Sequence, residues 1–172
     1  MTEFAILLPV LLITLLGLLE IGLLMAGVAG ISYGVNEAAK TIAQEGNAIG
    51  TDQDGLQTLR TRSLVGSTSI VRVNYVNIYK LTADSQGNLS QDTNSCGGSA
   101  CLNRYNLDGT FCCGTSSAPW ASATRNVTAS AADYVGVDVN MTYYWFDGLL
   151  GRVLPPVTVT RTAWQKLEPV TY

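Results

Sequence analysis

Phe4–Ile31 reads FAILLPVLLITLLGLLEIGLLMAGVAGI, nearly unbroken in apolar residues, with Glu20 its only charge. A helix needs about 20 such residues to cross about 30 Å of hydrocarbon, so the run is long enough to span a bilayer. It is apolar on every face, which excludes the core helix of a small soluble domain. Something must surround it completely, either lipid or other copies of the same helix.

Charge bears on that choice. No Lys or Arg precedes Lys40, whereas a membrane anchor normally carries basic residues on its cytoplasmic flank. A basic leader removed by processing is therefore expected upstream. The two carboxylates of the segment, Glu3 and Glu20, are costly at membrane depth unless paired. Glu3 lies within a turn of the N-terminal amine, so the amine of a neighbouring copy is its expected partner, in a contact that sets axial register. Glu20 falls near the middle of the run and demands a partner of its own.

Small residues supply a packing face. Gly22, Ala26, Gly30, Gly34 and Ala38 recur every four positions, a stripe that lets helix backbones approach closely in apolar surroundings. Pro9 is near enough to the start to kink the helix or to sit in its first turns, where its missing donor matters less.

Glu3-Phe4-Ala5, the aliphatic run containing Pro9, and Gly17-Leu18-Leu19-Glu20-Ile21-Gly22 are together similar to the N-terminal signature of TadE-like proteins, pilin-like subunits of tight-adherence pilus systems. The tail, Val157-Thr158-Val159-Thr160-Arg161-Thr162-Ala163 followed by Glu168-Pro169, resembles the closing strand of that family. The resemblance implies cleavage by a prepilin-type peptidase beside the Glu3-Phe4 pair. It also implies residence in the cytoplasmic membrane before assembly, with an ATP-driven inner-membrane machine then packing the N-terminal helices of identical subunits into an extracellular filament. Glu3, Phe4, Pro9 and Glu20 would be the assembly and register residues.

Composition narrows the other classes. Charged residues make up 13% of the 172, about half the usual share for a soluble domain, as suits a surface covered by its own copies or by glycans. Net charge is −3 without a basic patch, which argues against nucleic acid as a partner. The absence of histidine removes the commonest general base and the commonest metal ligand. With no nucleophile elbow or phosphate-binding glycine loop either, neither an enzyme nor a cofactor is expected.

Cys96, Cys101, Cys112 and Cys113 share one Gly/Ser/Asn-rich segment. Adjacent cysteines rarely both reach one zinc ion, and paired C-x-x-C spacing is missing, so disulfides in an oxidising compartment are expected rather than a metal. Four cysteines allow three connectivities. Ring strain disfavours a bond between Cys112 and Cys113, so each is expected to pair with Cys96 or Cys101.

Along the chain, Ser32–Ala48 turns amphipathic and extends the first helix to a rod of about 70 Å, ended by Gly46 or Gly50. Asp52–Val65 reads as a second helix, capped by Thr51 or Asp52, with Leu56, Leu59 and Leu64 inward. Ser69–Leu81 reads as a strand whose alternation slips after Tyr75, as at a bulge. Residues 83–130 read as a long irregular segment stapled by the disulfides and facing outward. It contains the glycosylation sequons at Asn88 and Asn126; a third lies at Asn140. Asp133–Phe146 alternates cleanly, with Val135, Val137, Val139, Met141, Tyr143 and Trp145 on one face. Asp147-Gly148 turns the chain, and Val157–Leu167 closes it with Thr158, Thr160 and Thr162 outward.

The expected fold is α+β: a long, pilin-like N-terminal hydrophobic helix with a small antiparallel β-sheet domain packed on its C-terminal half. Residues 1–50 would form the helix of a filament core and 51–172 the globular domain. Three functions fit: a structural subunit that polymerises through its helix, a minor pilin or adhesin at a filament tip, and a single-pass anchored envelope protein that never polymerises.

Overall fold

The computed structural model describes residues 2–63, 70–114, 116–145, 151 and 154–168, and side chains from Leu7 onward. The expected inward position of Leu64, the end of the second helix at Val65, the strand end at Phe146, the turn at Asp147-Gly148 and Pro169 of the tail lie outside the described residues.

Helix α1 runs unbroken from Thr2 to Glu45 with Pro9 inside it, about 65 Å of rod at 1.5 Å per residue. Gly46 ends it in the left-handed region at φ 59°, donating its N–H to the Ile42 carbonyl, a helix stop that favours glycine. Helix α2, Thr51–Arg62, doubles back beside α1. Its cap is Gly50, at φ 93°, with no side-chain cap bond. This corrects the expected cap at Thr51 or Asp52. Thr51 instead donates to the Ala48 carbonyl at 2.7 Å, and Asp52 is drawn into the interior.

Five antiparallel strands form one sheet: β1 (Val71–Ala83), β2 (Leu89–Gln91), β3 (Leu102–Tyr105), β4 (Tyr134–Tyr143) and β5 (Val157–Lys166). Their order is β2-β1-β4-β5, with β3 also on β1. The β1–β4 register shifts between Val73 and Tyr75, so the irregularity falls just before Tyr75 and not after it as expected. The fold is α+β, with α1 against β4 and β5 and α2 against α1. Ile31, Val35, Ala38, Ala39, Ile42 and Ala43 of α1 meet Val135, Val137, Val139 and Met141 of β4, and Leu56 and Leu59 of α2 complete the core. Thr158, Thr160 and Thr162 face outward.

Residues 83–130 are more ordered than expected, because β2 and β3 both pair with the free edge of β1. Covering that edge satisfies backbone groups a bare strand would leave open.

The disulfides join Cys96 to Cys101 and Cys112 to Cys113, which overturns the expected cross-pairing. The reason is local backbone geometry. Gly97 and Gly98, both at positive φ, turn the chain so that Cys96 and Ser99 exchange two backbone hydrogen bonds, bringing the Cα atoms of Cys96 and Cys101 within 5.1 Å. Cys112 donates its N–H to Arg104, three residues beyond Cys101 and so about 10 Å further along β3.

Candidate functional site

From Leu7 to Leu19 the side chains of α1 are open, Leu18 at 71% exposure, apart from half-buried Gly17. The segment is long and apolar enough to cross a membrane. Leaving one such side chain in water forgoes about 1.5–3 kcal/mol, and here ten stand together. Glu3, Phe4 and Pro9 all belong to this protruding part of the helix. The exposed apolar face continues past it on the side away from the sheet, through Ile21 and Leu23 to Met25 at 66%.

Burial begins at Glu20, which is 2% exposed. The Tyr143 hydroxyl donates to its Oε2 at 2.7 Å. Burial, and then this bond to a carboxylate, push the Tyr143 phenol above its ordinary value. Glu20 thus finds a partner at the end of β4 within its own chain, and it stands where the helix enters the domain.

The small-residue stripe divides further along, between Ala26 and Gly34. Gly22 has open space around it and Ala26 is exposed, while Gly30 is half-buried. Gly34 and Ala38 are buried inside the chain, where a Cβ on Gly34 would lie 2.8 Å from that of Ser63, at the end of α2. Their small size lets α2 lie against α1.

A buried polar centre holds α2 and the outer segment together. Asp52 accepts from Arg125 Nη2 at 2.5 Å, from Asn103 Nδ2 at 2.8 Å and from the Tyr105 hydroxyl at 3.0 Å. Asn103 also exchanges hydrogen bonds with the Trp120 backbone, and the Arg125 guanidinium lies over the Trp120 ring, 4.4 Å from its centre. All five residues are buried. Sequence reading missed this centre. Arg125, an isolated cation in a Ser/Thr/Asn-rich stretch otherwise poor in charge, was the one available signal.

The sequons differ in their surroundings. The Asn88 amide donates to Asp84 at 2.9 Å, and that of Asn140 to Thr160 at 3.0 Å. Asn126 is exposed, its side-chain oxygen accepting the Thr128 N–H in a local turn. Among the described residues no group of three or more His, Cys, Asp or Glu is placed to hold a metal ion.

A free apolar half-helix joined to a small disulfide-bearing α+β domain fits a pilus-related, membrane-anchored protein. Residues 1–40 match the model of the family described as TadE-like protein, the family that Glu3-Phe4-Ala5 and Gly17–Gly22 resemble. The matched segment spans the protruding half of α1, Glu20 and the whole small-residue stripe; the tail similar to the family's closing strand lies beyond it. No curated protein and no solved structure matches the chain.

Proposed function

We propose that the chain is a structural pilin-like subunit that polymerises through α1 into an extracellular filament serving surface attachment. The observation that carries this reading is the exposed apolar half of α1 within a TadE-like segment. Residues 1–50 serve as the filament core and residues 51–172 as its outer domain. The TadE-like match supports partnership with pilus components; a prepilin-type peptidase and an ATP-driven assembly machine are the partners proposed. Because hydrocarbon already covers the Leu side chains in the membrane, moving them into a bundle yields no hydrophobic gain. Close packing at Gly22 and Ala26, pairing at Glu3 and external work must drive assembly.

Glu3→Ala tests the register role. Membrane insertion is expected to persist while filaments in sheared surface fractions become short or disappear under the electron microscope. Filaments of normal length and number would sink it.

One observation favours a second reading, a single-pass anchor that does not polymerise. Tyr143 already supplies Glu20 with a partner in the chain, so no neighbouring copy is required for that carboxylate. This reading is set apart by monomers alone after detergent release and by the absence of fibres from the cell surface.

A further inference from the structure

We propose that the end of the sheet formed by Tyr144, Trp145, Leu154 and Pro155 beds into the headgroup layer of the membrane that α1 spans. The proposal rests on membrane anchoring through α1, which it shares with both readings above.

The first support is a length. Thr2–Leu19, the part of α1 that stands clear of the domain, is about 27 Å long at 1.5 Å per residue, close to the thickness of the hydrocarbon layer. The near boundary of that layer therefore falls at about Glu20, or up to two turns later on the side where exposed apolar residues continue to Met25.

The second is direction. Near the far end of α1, Glu168 donates its N–H to the Ala43 carbonyl and Leu167 donates to Asp133, just before β4 starts. At the other end Tyr143 reaches Glu20. Strand β4 thus runs back along α1 toward the boundary, and its last backbone bond, Tyr144 N–H to Ile70, lies there.

The third is chemistry. Tyr144 is 41% exposed and Leu154 40%. Trp145 packs edge-on against Tyr143, centroids 5.5 Å apart, and donates its indole N–H to the Pro155 carbonyl at 2.9 Å. Rings with an apolar body and a polar handle concentrate at membrane–water boundaries. Arg72, paired in register with Thr142 and exposed, stands one position inside this end, where a cation can meet lipid phosphate. The opposite end of the sheet instead carries Lys80, Asp133, Lys166 and Glu168 and lies beside Ala43, far up the helix.

Three tryptophans make the test direct. Full-length Trp164→Phe keeps Trp145, whereas Trp145→Phe keeps Trp164 on the outer part of β5; buried Trp120 is common to both. Each is reconstituted into phosphatidylethanolamine and phosphatidylglycerol vesicles whose acyl chains are brominated near the headgroup. The proposal expects both to float with the vesicles and Trp164→Phe alone to lose emission relative to unbrominated lipid. A matched variant carries Leu154→Trp with Trp145 and Trp164 both replaced by Phe, and is expected to lose emission too. Flotation without preferential quenching in either design overturns the proposal and leaves anchoring intact. Failure to float overturns anchoring, and the proposal with it.

Discussion

The Tyr143 hydroxyl donates to the Glu20 carboxylate at 2.7 Å across 123 positions of sequence. The bond ties the end of β4 to the point where α1 leaves the domain, so it sets how far the domain sits along the rod. Removing the hydroxyl keeps the ring and its packing but withdraws one donor from a buried carboxylate, at a cost of about 1.5–3 kcal/mol for a bond to a charged group. Tyr143→Phe is therefore expected to lower the thermal unfolding midpoint of the full chain in detergent by several degrees. Glu20→Gln, which keeps an acceptor opposite Tyr143, should lower it less.

Alkaline pH should unfold the domain through its buried phenols. Burial is the main cause that raises Tyr79, Tyr105 and Tyr143, aided in turn by Asp138, Asp52 and Glu20. Each phenol holds its proton more tightly folded than unfolded. Its contribution is complete below about pH 10, the unfolded value, and is lost as pH rises toward the folded one. Unfolding midpoints measured by circular dichroism should be level approaching pH 10 and fall beyond it, and Tyr79→Phe should make that fall shallower. A midpoint that rises above pH 10 would contradict the assignment.

What the sequence made legible was whatever repeats. The long helix and β4 each carry a period that survives folding, because one face of β4 is buried from Val135 to Tyr143 and the apolar run of α1 has no polar face to place. Contacts between distant residues carry no such period. The partner of Glu20 lies 123 positions away, so that carboxylate's need of a neighbour could be recognised but its neighbour could not; Asp52, whose partner lies 73 away, read only as a helix cap. The cysteines failed differently. A general argument from ring strain pointed to cross-pairing, and the Gly97-Gly98 turn together with the β3 register outweighed it.

The Asp52–Arg125 pair gives a sharp stability test. Breaking a buried ion pair by deleting one partner costs about 3–5 kcal/mol, because the other charge stays in the interior. Asp52→Ala also removes the acceptor used by Asn103 and Tyr105, so the full loss is expected. Denaturant unfolding in detergent should show a large drop in midpoint. Lys40→Ala, which removes an exposed pair with Glu37, should leave it nearly unchanged, because solvent screens such a pair.

The disulfide arrangement predicts a particular peptide map. Trypsin cuts after Lys80, Arg104 and Arg125, which places Cys96 and Cys101 in residues 81–104 and Cys112 and Cys113 in residues 105–125. With each bond inside its own peptide, an unreduced digest of protein with capped free thiols should release the two separately. Each should be lighter by two hydrogens than its reduced form. Cross-pairing would instead hold them together as one species that separates only on reduction. Because the cut at Arg104 falls between the two pairs, mass spectrometry of a single digest distinguishes the local bonds from both crossed connectivities without any mutation.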